Sequence, residues 1–290
     1  MSDVAIIGAG PAGIATALQL KIYGINCLVY EKHEIGGLLR NANLVENYLG
    51  FPRGIKGIAL IELLKEQIER LQVTIIRKTI DRVGIKNDMF ELESNDELSY
   101  CNHLVLASGS KPKSFLLNGE LINVADRILT EIHTLFDRKN LQISIVGAGD
   151  AAFDYALNLS IHNQICIHNR GERVRCLQHL FESAMNNSQV TYNTNSTLRK
   201  IDFSSDELYL TWENTGRTVH EYVDYLILAI GREPDTSCLG KDVYENMSYL
   251  TEKGKLFLVG DVTNGIYRQT AISAGDGIMT AMKLNKIIKE

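Results

Sequence analysis

The sequence predicts an α/β fold built from two similar halves, and three observations predict it. A glycine-punctuated segment occurs twice, as Ile6-Ile7-Gly8-Ala9-Gly10-Pro11-Ala12-Gly13 and as Ile145-Val146-Gly147-Ala148-Gly149-Asp150-Ala151-Ala152. Each copy follows a β-branched run, opens an amphipathic stretch and leads to a second apolar run. A last strand-like segment, Leu256–Asp261, has no counterpart closing the second copy, so the simplest topology returns it to the first half. Strand, glycine turn, helix and strand form the βαβ unit of Rossmann-like nucleotide-binding folds. The expectation is therefore two Rossmann-like three-layer domains, the second inserted in the first, with residues 1–112 and 240–290 in one and 113–239 in the other.

Element by element, the first copy reads as a strand to Ile7, a helix over Ile14–Tyr23 and a strand over Cys27–Tyr30. Apolar residues at Ile58, Ile61, Leu64, Ile68 and Leu71 recur at helical spacing and predict an additional helix. Phe90–Leu92 and Leu98–Tyr100 flank Asn95-Asp96 as a hairpin. The run His103–Gly109 reads as a buried strand ending in glycine. The second copy repeats the series with a helix over Phe153–Ile161, a strand over Ile165–His168 and a hairpin at Asn214-Thr215-Gly216. Its buried strand is Tyr225–Gly231. Linkers are expected near Lys111–Ser114 and Glu233–Leu239, and Ile272–Asn285 reads as a final helix.

Composition narrows the function. The chain has 290 residues, 45% of them apolar and 22% charged, with a formal net charge of −5. At roughly 150 residues per domain this length suits two globular domains. An acidic balance argues against nucleic acid as a partner. No apolar run approaches the ~20 residues of a membrane span, and Met1-Ser2-Asp3 lacks the basic start of a signal peptide, so a cytoplasmic protein is expected. The five cysteines, Cys27, Cys101, Cys166, Cys176 and Cys238, show no C-x-x-C spacing, so no metal site is expected. Cys27 and Cys166 lie in strand-like runs, where a small buried thiol is the ordinary role.

The glycines point to phosphates. In such a turn the first glycine permits tight geometry, the second lets backbone approach a pyrophosphate, and the third brings helix and strand together. Free amide groups and the positive end of the helix dipole then face the anion. Glu31 ends the second strand, where a carboxylate accepts bonds from ribose hydroxyls. At the same spacing in the second copy stands Arg170, within His168-Asn169-Arg170-Gly171-Glu172-Arg173-Val174-Arg175. An arginine fork suits a 2′-phosphate that a carboxylate would repel. Tandem nucleotide sites, one of them for a phosphorylated ribose, suggest a flavin reduced by NADPH, with NADH as the other candidate.

At this point the sequence resembles the low-molecular-weight thioredoxin reductase family of flavoproteins. Further segments bear this out: Gly36-Gly37-Leu38, Val45-Glu46-Asn47-Tyr48, and Val259-Gly260-Asp261-Val262 continuing as Tyr267-Arg268-Gln269-Thr270-Ala271-Ile272-Ser273-Ala274-Gly275. The resemblance implies FAD in the first domain, NAD(P)H in the inserted one, and a homodimer. It implies that Gly8, Gly10, Pro11, Ala12 and Gly13 hold the pyrophosphate of FAD, and that Glu31 and Lys32 meet the adenosine end. Gly37, Leu38 and Asn47 would line the isoalloxazine, with Ala107 and Gly109 at the neighbouring strand end. Gly260 and Asp261 would meet the ribityl chain, and Arg268, Gln269 and Thr270 the pyrimidine edge. For NAD(P)H the implied residues are Gly147, Gly149, Asp150, Ala151 and Ala152, then Asn169, Arg170 and Arg175, with Ile230 and Gly231 at the strand end.

The sequence departs from this family in two places. Disulfide reductases of the family carry C-x-x-C shortly before the second glycine motif, but the corresponding stretch here, 122–136, has no cysteine. Cys101 and Cys176 are too isolated in sequence to replace that pair, and dithiol exchange needs two partnered thiols. Asn169 also stands where the family has the first arginine of its His-Arg-Arg segment. The expected activity is therefore hydride transfer from NAD(P)H to flavin, followed by electron transfer to a non-dithiol acceptor: ferredoxin or flavodoxin, a quinone, or a small molecule. The alternatives are a flavin-dependent reductase or oxidase of an external low-molecular-weight disulfide, and a non-catalytic flavin or nucleotide sensor. No catalytic side chain is expected, because hydride transfer needs positioned rings rather than an acid or base.

Overall fold

The first strand, Ser2–Ile7, buries the apolar residues Val4, Ala5, Ile6 and Ile7 because both faces of the sheet are covered there. In the computed structural model, which describes residues 2–124, 126–204 and 206–289, it lies mid-sheet. Met1, Ala125 of the cysteine-free stretch, Ser205 and the final Glu290 fall outside the described residues. The chain divides into two compact units. One comprises Met1–Arg40, Leu44–Lys111 and Glu233–Glu290; the other comprises Asn41–Asn43 and Pro112–Arg232.

The first unit holds a seven-stranded sheet. Parallel pairing joins Thr74–Arg77, Cys27–Glu31, Ser2–Ile7 and Glu97–Leu106 in that order. Leu256–Leu258 pairs parallel with Glu97–Leu106 in the register Leu256↔Leu104, so the last strand does return to the first sheet. Met89–Ser94 adds antiparallel to the early part of Glu97–Leu106, and Arg82–Lys86 adds antiparallel to Met89–Ser94. The Asn95-Asp96 turn has φ of 47° and 65°, the left-handed pair that a two-residue hairpin requires. Asn87-Asp88, not foreseen as a turn, does the same with 50° and 63°.

Helix Gly57–Arg70 forms where the periodicity placed one, but its inward face differs slightly from expectation. Leu60, Ile61 and Ile68 are buried, while Ile58 is 45% exposed. Ile58 sits on the flank of a stripe that runs through 57, 60, 61 and 68, so helical rotation turns it toward solvent.

The second unit has a five-stranded parallel sheet in the order Ile128–Leu129, Tyr225–Leu228, Gln142–Val146, Gln164–His168, Val190–Asn193. Alternate residues divide between its two faces. Ile143, Ile145, Ile165, Ile167 and Ile227 pack with Phe153, Ala156 and Leu159 of helix Asp150–Leu159. Leu226 and Leu228 pack instead with Leu208, Leu210 and Trp212 of a three-stranded antiparallel meander, Ser196–Phe203, Leu208–Asn214 and Arg217–Val223. Helix, sheet and meander make three layers. The Thr215-Gly216 turn, with φ of 48° and 78°, closes the predicted second hairpin.

The chain passes between the units on Ser110–Pro112 and Arg232–Pro234, which pair with each other. The second boundary therefore falls at 232/233 rather than 239/240. Residues 235–239 belong to the first unit because Asp235 N donates to Gly109 O (3.1 Å) and Val83 N donates to Cys238 O (2.7 Å). No helix among the described residues is long and apolar enough to cross a membrane.

The final helix, Thr270–Lys289, packs closely on helix Pro11–Ile22. A Cβ at Gly277 would stand 2.3 Å from Ala12 O, whereas one at Gly275 would meet nothing within 4 Å. The two glycines therefore predict opposite signs. Gly275→Ala should raise stability by roughly 0.5–1 kcal/mol through helix propensity. Gly277→Ala should lower it by ~1–3 kcal/mol through overpacking. Denaturant unfolding of both variants checks this, and a stabilised Gly277→Ala would contradict the packing.

Candidate nucleotide sites

The first glycine turn is dictated by what surrounds it. Gly8 has φ of +105°, and a Cβ there would lie 2.3 Å from Ala107 O. A Cβ at Gly13 would lie 2.0 Å from Gly8 O, so helix Pro11–Ile22 reaches the strand only without that side chain. Gly10 differs, because its missing Cβ would project into open space. It is the N-cap of the helix, with Pro11 in the first turn and no side-chain cap. The first helical bond runs from Ile14 N to Gly10 O (3.0 Å). The uncapped turn leaves amide donors beside an open face, the geometry that receives phosphate.

The surroundings complete a cradle. Ala9 N donates to Glu31 Oε2 at 2.7 Å and His33 N to Oε1 at 2.9 Å, which fixes the carboxylate beside the turn. A carboxylate has further lone pairs, so these two bonds leave acceptor capacity for hydroxyls. Gly36 N donates to Ala9 O (2.8 Å), and a Cβ at Gly37 would come within 3.3 Å of Gly10 Cα. Gly260, at φ +74°, sits against the Ala12 methyl, and Asp261 Oδ1 accepts from Ser273 Oγ (3.3 Å). The structure thus gathers Gly8, Gly10, Ala12, Gly13, Glu31, Gly37, Ala107 and Gly260 around one turn, with Asp261 directly beyond. Lys32 pairs with Asp235 at 3.9 Å. Gly109, at φ +70°, holds the strand end through its carbonyl. Leu38 lies in the short 3-10 turn Gly37–Asn41, and Thr270 begins the last helix beside Pro11. Asn47 and Gln269 are exposed and Arg268 is half-buried.

Sequence reading missed Asp276. Its carboxylate accepts from Gly260 N (3.3 Å) and Asn264 Nδ2, and so ties the turn after the last strand to the last helix. A lone acid within a helical run gives no signal of that role.

The second turn reproduces the first. Gly147 has φ of +140°, and its Cβ would lie 2.3 Å from Ala229 O, as Gly8 relates to Ala107. Gly149 is again an N-cap without a side-chain cap, nearly open around its missing Cβ. Ala152, in place of a third glycine, is fully buried. Asp150 sits in the first turn, where its Oδ1 accepts from Leu177 N (2.8 Å), and Ala151 beside it is exposed. Arg175 N donates to Ala148 O (2.8 Å), which brings the arginine segment against the turn. Gly231 follows Ile230 at φ +105° and accepts from Lys113 N (3.1 Å). Arg170, Arg173 and Arg175 are all exposed.

Asn169 has a different place from the one expected. It is 7% exposed, and its Nδ2 donates to Arg173 O (3.2 Å) and Tyr192 OH (2.9 Å) while Oδ1 accepts from Gly171 N (3.3 Å). Its amide braces the loop that presents the arginines. A short polar side chain at a strand end satisfies local backbone before it reaches outward. Within the same unit, burial first, then the nearby Asp150 charge, pushes the Asp154 carboxyl up to about 6, against the lowering effect of Asn43 N.

Known proteins are similar to this chain. A thioredoxin reductase of Chlamydia trachomatis is 28% identical across 99% of this chain and 99% of its own. One from Mycolicibacterium smegmatis is 26% identical across 99% and 97%. Among solved structures, Lactococcus lactis thioredoxin reductase has a TM-score of 0.85 at 22% identity, covering 100% of this chain and 99% of that one. A bacillithiol disulfide reductase from Bacillus cereus has a TM-score of 0.75 at 17% identity, covering 99% of each. These structural likenesses show the fold, two Rossmann-like domains. The family model described as pyridine nucleotide-disulphide oxidoreductase matches residues 2–277. The family uses FAD and NADPH, and two uncapped glycine turns with open faces fit two such dinucleotides. With that match running from the first strand into the last helix, the chain belongs to the pyridine nucleotide-disulphide oxidoreductase family.

Proposed function

We propose that this chain is an FAD-dependent NAD(P)H oxidoreductase that passes electrons to an acceptor other than a protein-borne dithiol, such as ferredoxin, flavodoxin, a quinone or a small molecule. The observation that carries this reading is a pair of matching glycine cradles in a sequence with no C-x-x-C. The thiols present are poor nucleophiles. Burial pushes Cys27 and Cys238 up to about 11 and Cys101 and Cys166 up to about 12, so the thiolate fraction near neutral pH is minute. When bound, FAD supplies a two-electron acceptor for hydride from NADPH.

The first unit would hold FAD. Gly10, Ala12 and Gly13 would offer their amides and the helix dipole to its pyrophosphate, and Glu31 would accept from a ribose hydroxyl. Gly37, Leu38 and Asn47 would border the ring system, and Gly260 and Asp261 the ribityl chain. Arg268, Gln269 and Thr270 would place the N-terminus of a 20-residue helix at the pyrimidine edge. In the second unit Gly149 and Ala151 would offer the amides, with Ala152 seating the helix and Ile230 and Gly231 bordering the cleft. Arg170 and Arg175 would meet the 2′-phosphate, on a loop braced by Asn169.

Purified protein should be yellow and release FAD on acid treatment, and NADPH should drive reduction of artificial dyes but not of thioredoxin. Colourless protein that FAD cannot reconstitute would overturn the cofactor assignment. Thioredoxin turnover that survives replacement of all five cysteines by serine would overturn the chemistry, and its loss in a single cysteine variant would reveal a redox thiol.

The nucleotide preference follows from charge. A charge-assisted contact to a 2′-phosphate contributes roughly 1.5–3 kcal/mol, or about 10- to 150-fold in affinity. With Asn169 turned inward, the lower end applies, and NADPH should be preferred about tenfold. Arg170→Ala should remove most of that preference by weakening NADPH alone, read from kcat/KM for both nucleotides. Equal loss of both would place Arg170 on the pyrophosphate or in the scaffold.

The chain is further proposed to form a homodimer. An apolar groove of about 160 Å³ in the first unit runs between Ile14, Leu18, Leu60, Leu64 and Ile278, and Ile22, Met279 and Met282 are exposed near it on the same helices. Light scattering should give twice the chain mass of 32.4 kDa; a mass equal to one chain would refute the dimer.

A further inference from the structure

The sheet face turned toward the meander in the second unit carries Leu226 and Leu228 beside a group of polar side chains. Ser144, Cys166 and His168 stand on adjacent parallel strands, Cys166 and His168 two residues apart on Gln164–His168. Glu221 approaches them from strand Arg217–Val223. The sequence offers no signal for the full set, because Glu221 lies far along the chain from Cys166 and His168. One sulfur, one imidazole nitrogen and one carboxylate oxygen from Cys166, His168 and Glu221 all lie within 4.8 Å of one another.

We propose that Cys166, His168 and Glu221 form a site for a borderline divalent cation of the Zn²⁺ class, which the two nucleotide sites do not require. The donor set is sulfur, nitrogen and oxygen, the set zinc takes, at bond lengths of about 2.0–2.3 Å. His168 is 3% exposed, and its Nε2 makes no hydrogen bond although it lies 3.3 Å from Glu221 Oε1. Its Nδ1 meets Ser196 Oγ at 2.8 Å. With Nδ1 as the donor there, the Nε2 lone pair faces the cluster, the second-shell pattern that orients a metal-binding imidazole. The ring is held flat against Trp212, with centroids 3.6 Å apart and planes within 3°.

Glu221 is equally prepared. Its Oε1 accepts from Ser144 Oγ (2.6 Å) and Trp212 Nε1 (2.7 Å), and among the described residues none donates to Oε2. Asn193 Nδ2 supports Cys166 Sγ from the side at 3.2 Å. A dication would balance one thiolate and one carboxylate, so the half-buried cluster would become neutral on binding. Binding displaces the Cys166 thiol proton to solvent and forms one metal–sulfur bond, with no change in oxidation state. Three protein ligands leave a fourth position for water. The cation would also brace the second glycine turn, because His168 O accepts the Gly147 amide at 3.0 Å.

The test uses the full-length flavin-loaded protein, stripped with chelator, desalted and titrated with Zn²⁺ under a phosphine reductant. Calorimetry should show one equivalent bound. Zinc-edge absorption should show one sulfur at about 2.3 Å with nitrogen and oxygen near 2.0 Å. Cys166→Ala and Glu221→Gln should each weaken binding at least tenfold, while Cys176→Ser should leave it unchanged. Glu221→Gln keeps an acceptor for Ser144 and Trp212, so it remains informative if Cys166→Ala fails to fold. No bound equivalent, a sulfur-free shell, or binding indifferent to both substitutions would overturn the site and leave a His168–Glu221 ion pair in its place.

Discussion

Both nucleotide sites depend on one steric constraint: a carbonyl oxygen occupies the place where a glycine lacks its Cβ. Ala107 O stands 2.3 Å from that position at Gly8, and Ala229 O stands 2.3 Å from it at Gly147. No side chain fits at either distance. Because strand and strand end come this close, each chain turns sharply and starts its helix directly over the sheet edge. The helix N-terminus is left uncapped and facing outward. Hydrogen bonds that would otherwise be made by a cap are thus available to an anion. Substrate geometry begins as a packing problem.

The two copies diverge where the constraint relaxes. Gly13 is needed because its Cβ would strike Gly8 O at 2.0 Å, whereas the second helix accommodates a buried Ala152 in the same place. At the following strand ends, Glu31 is locked by two backbone amides, and Arg170 is left exposed on a loop that Asn169 braces. One end suits hydroxyls and the other suits added phosphate. The scaffold is common to both, and the two copies differ in the charge at this strand-end position.

The second unit also shows how a parallel sheet can conceal chemistry. Its helix-covered face is apolar, with isoleucines on the inner strands and Tyr192 and Tyr225 packed beside them. The opposite face is covered by a twisted meander whose strand Arg217–Val223 brings a carboxylate over Cys166 and His168. There His168 Nε2 lies 3.3 Å from Glu221 Oε1 without a hydrogen bond among the described residues, a costly arrangement for a buried polar atom unless something meets it. Trp212 and Ser144 stabilise the acid, and Ser196 orients the ring.

Local pattern along the chain was enough to reveal both βαβ units, the two hairpins at Asn95-Asp96 and Thr215-Gly216, the glycine cradles and the strand-end Glu31. Each of these is encoded by residues close in sequence, through turn chemistry, periodicity or a required positive φ. Register and docking were not encoded that way. The register of Leu256–Leu258 against Leu104, the place of residues 233–239 in the first unit, and the grip of Asp276 on Gly260 all join distant segments. Asn169 illustrates the same limit: its sequence position suggested a ligand contact, but the neighbouring Tyr192 and Arg173 carbonyl drew its amide inward. The Cys166–His168–Glu221 cluster exists only because two different sheets face each other. The sequence by itself determined which segments could bind phosphate, since that needs only a turn and a helix start. Tertiary structure decided which side chains meet, since pairing between strands far apart in sequence sets that.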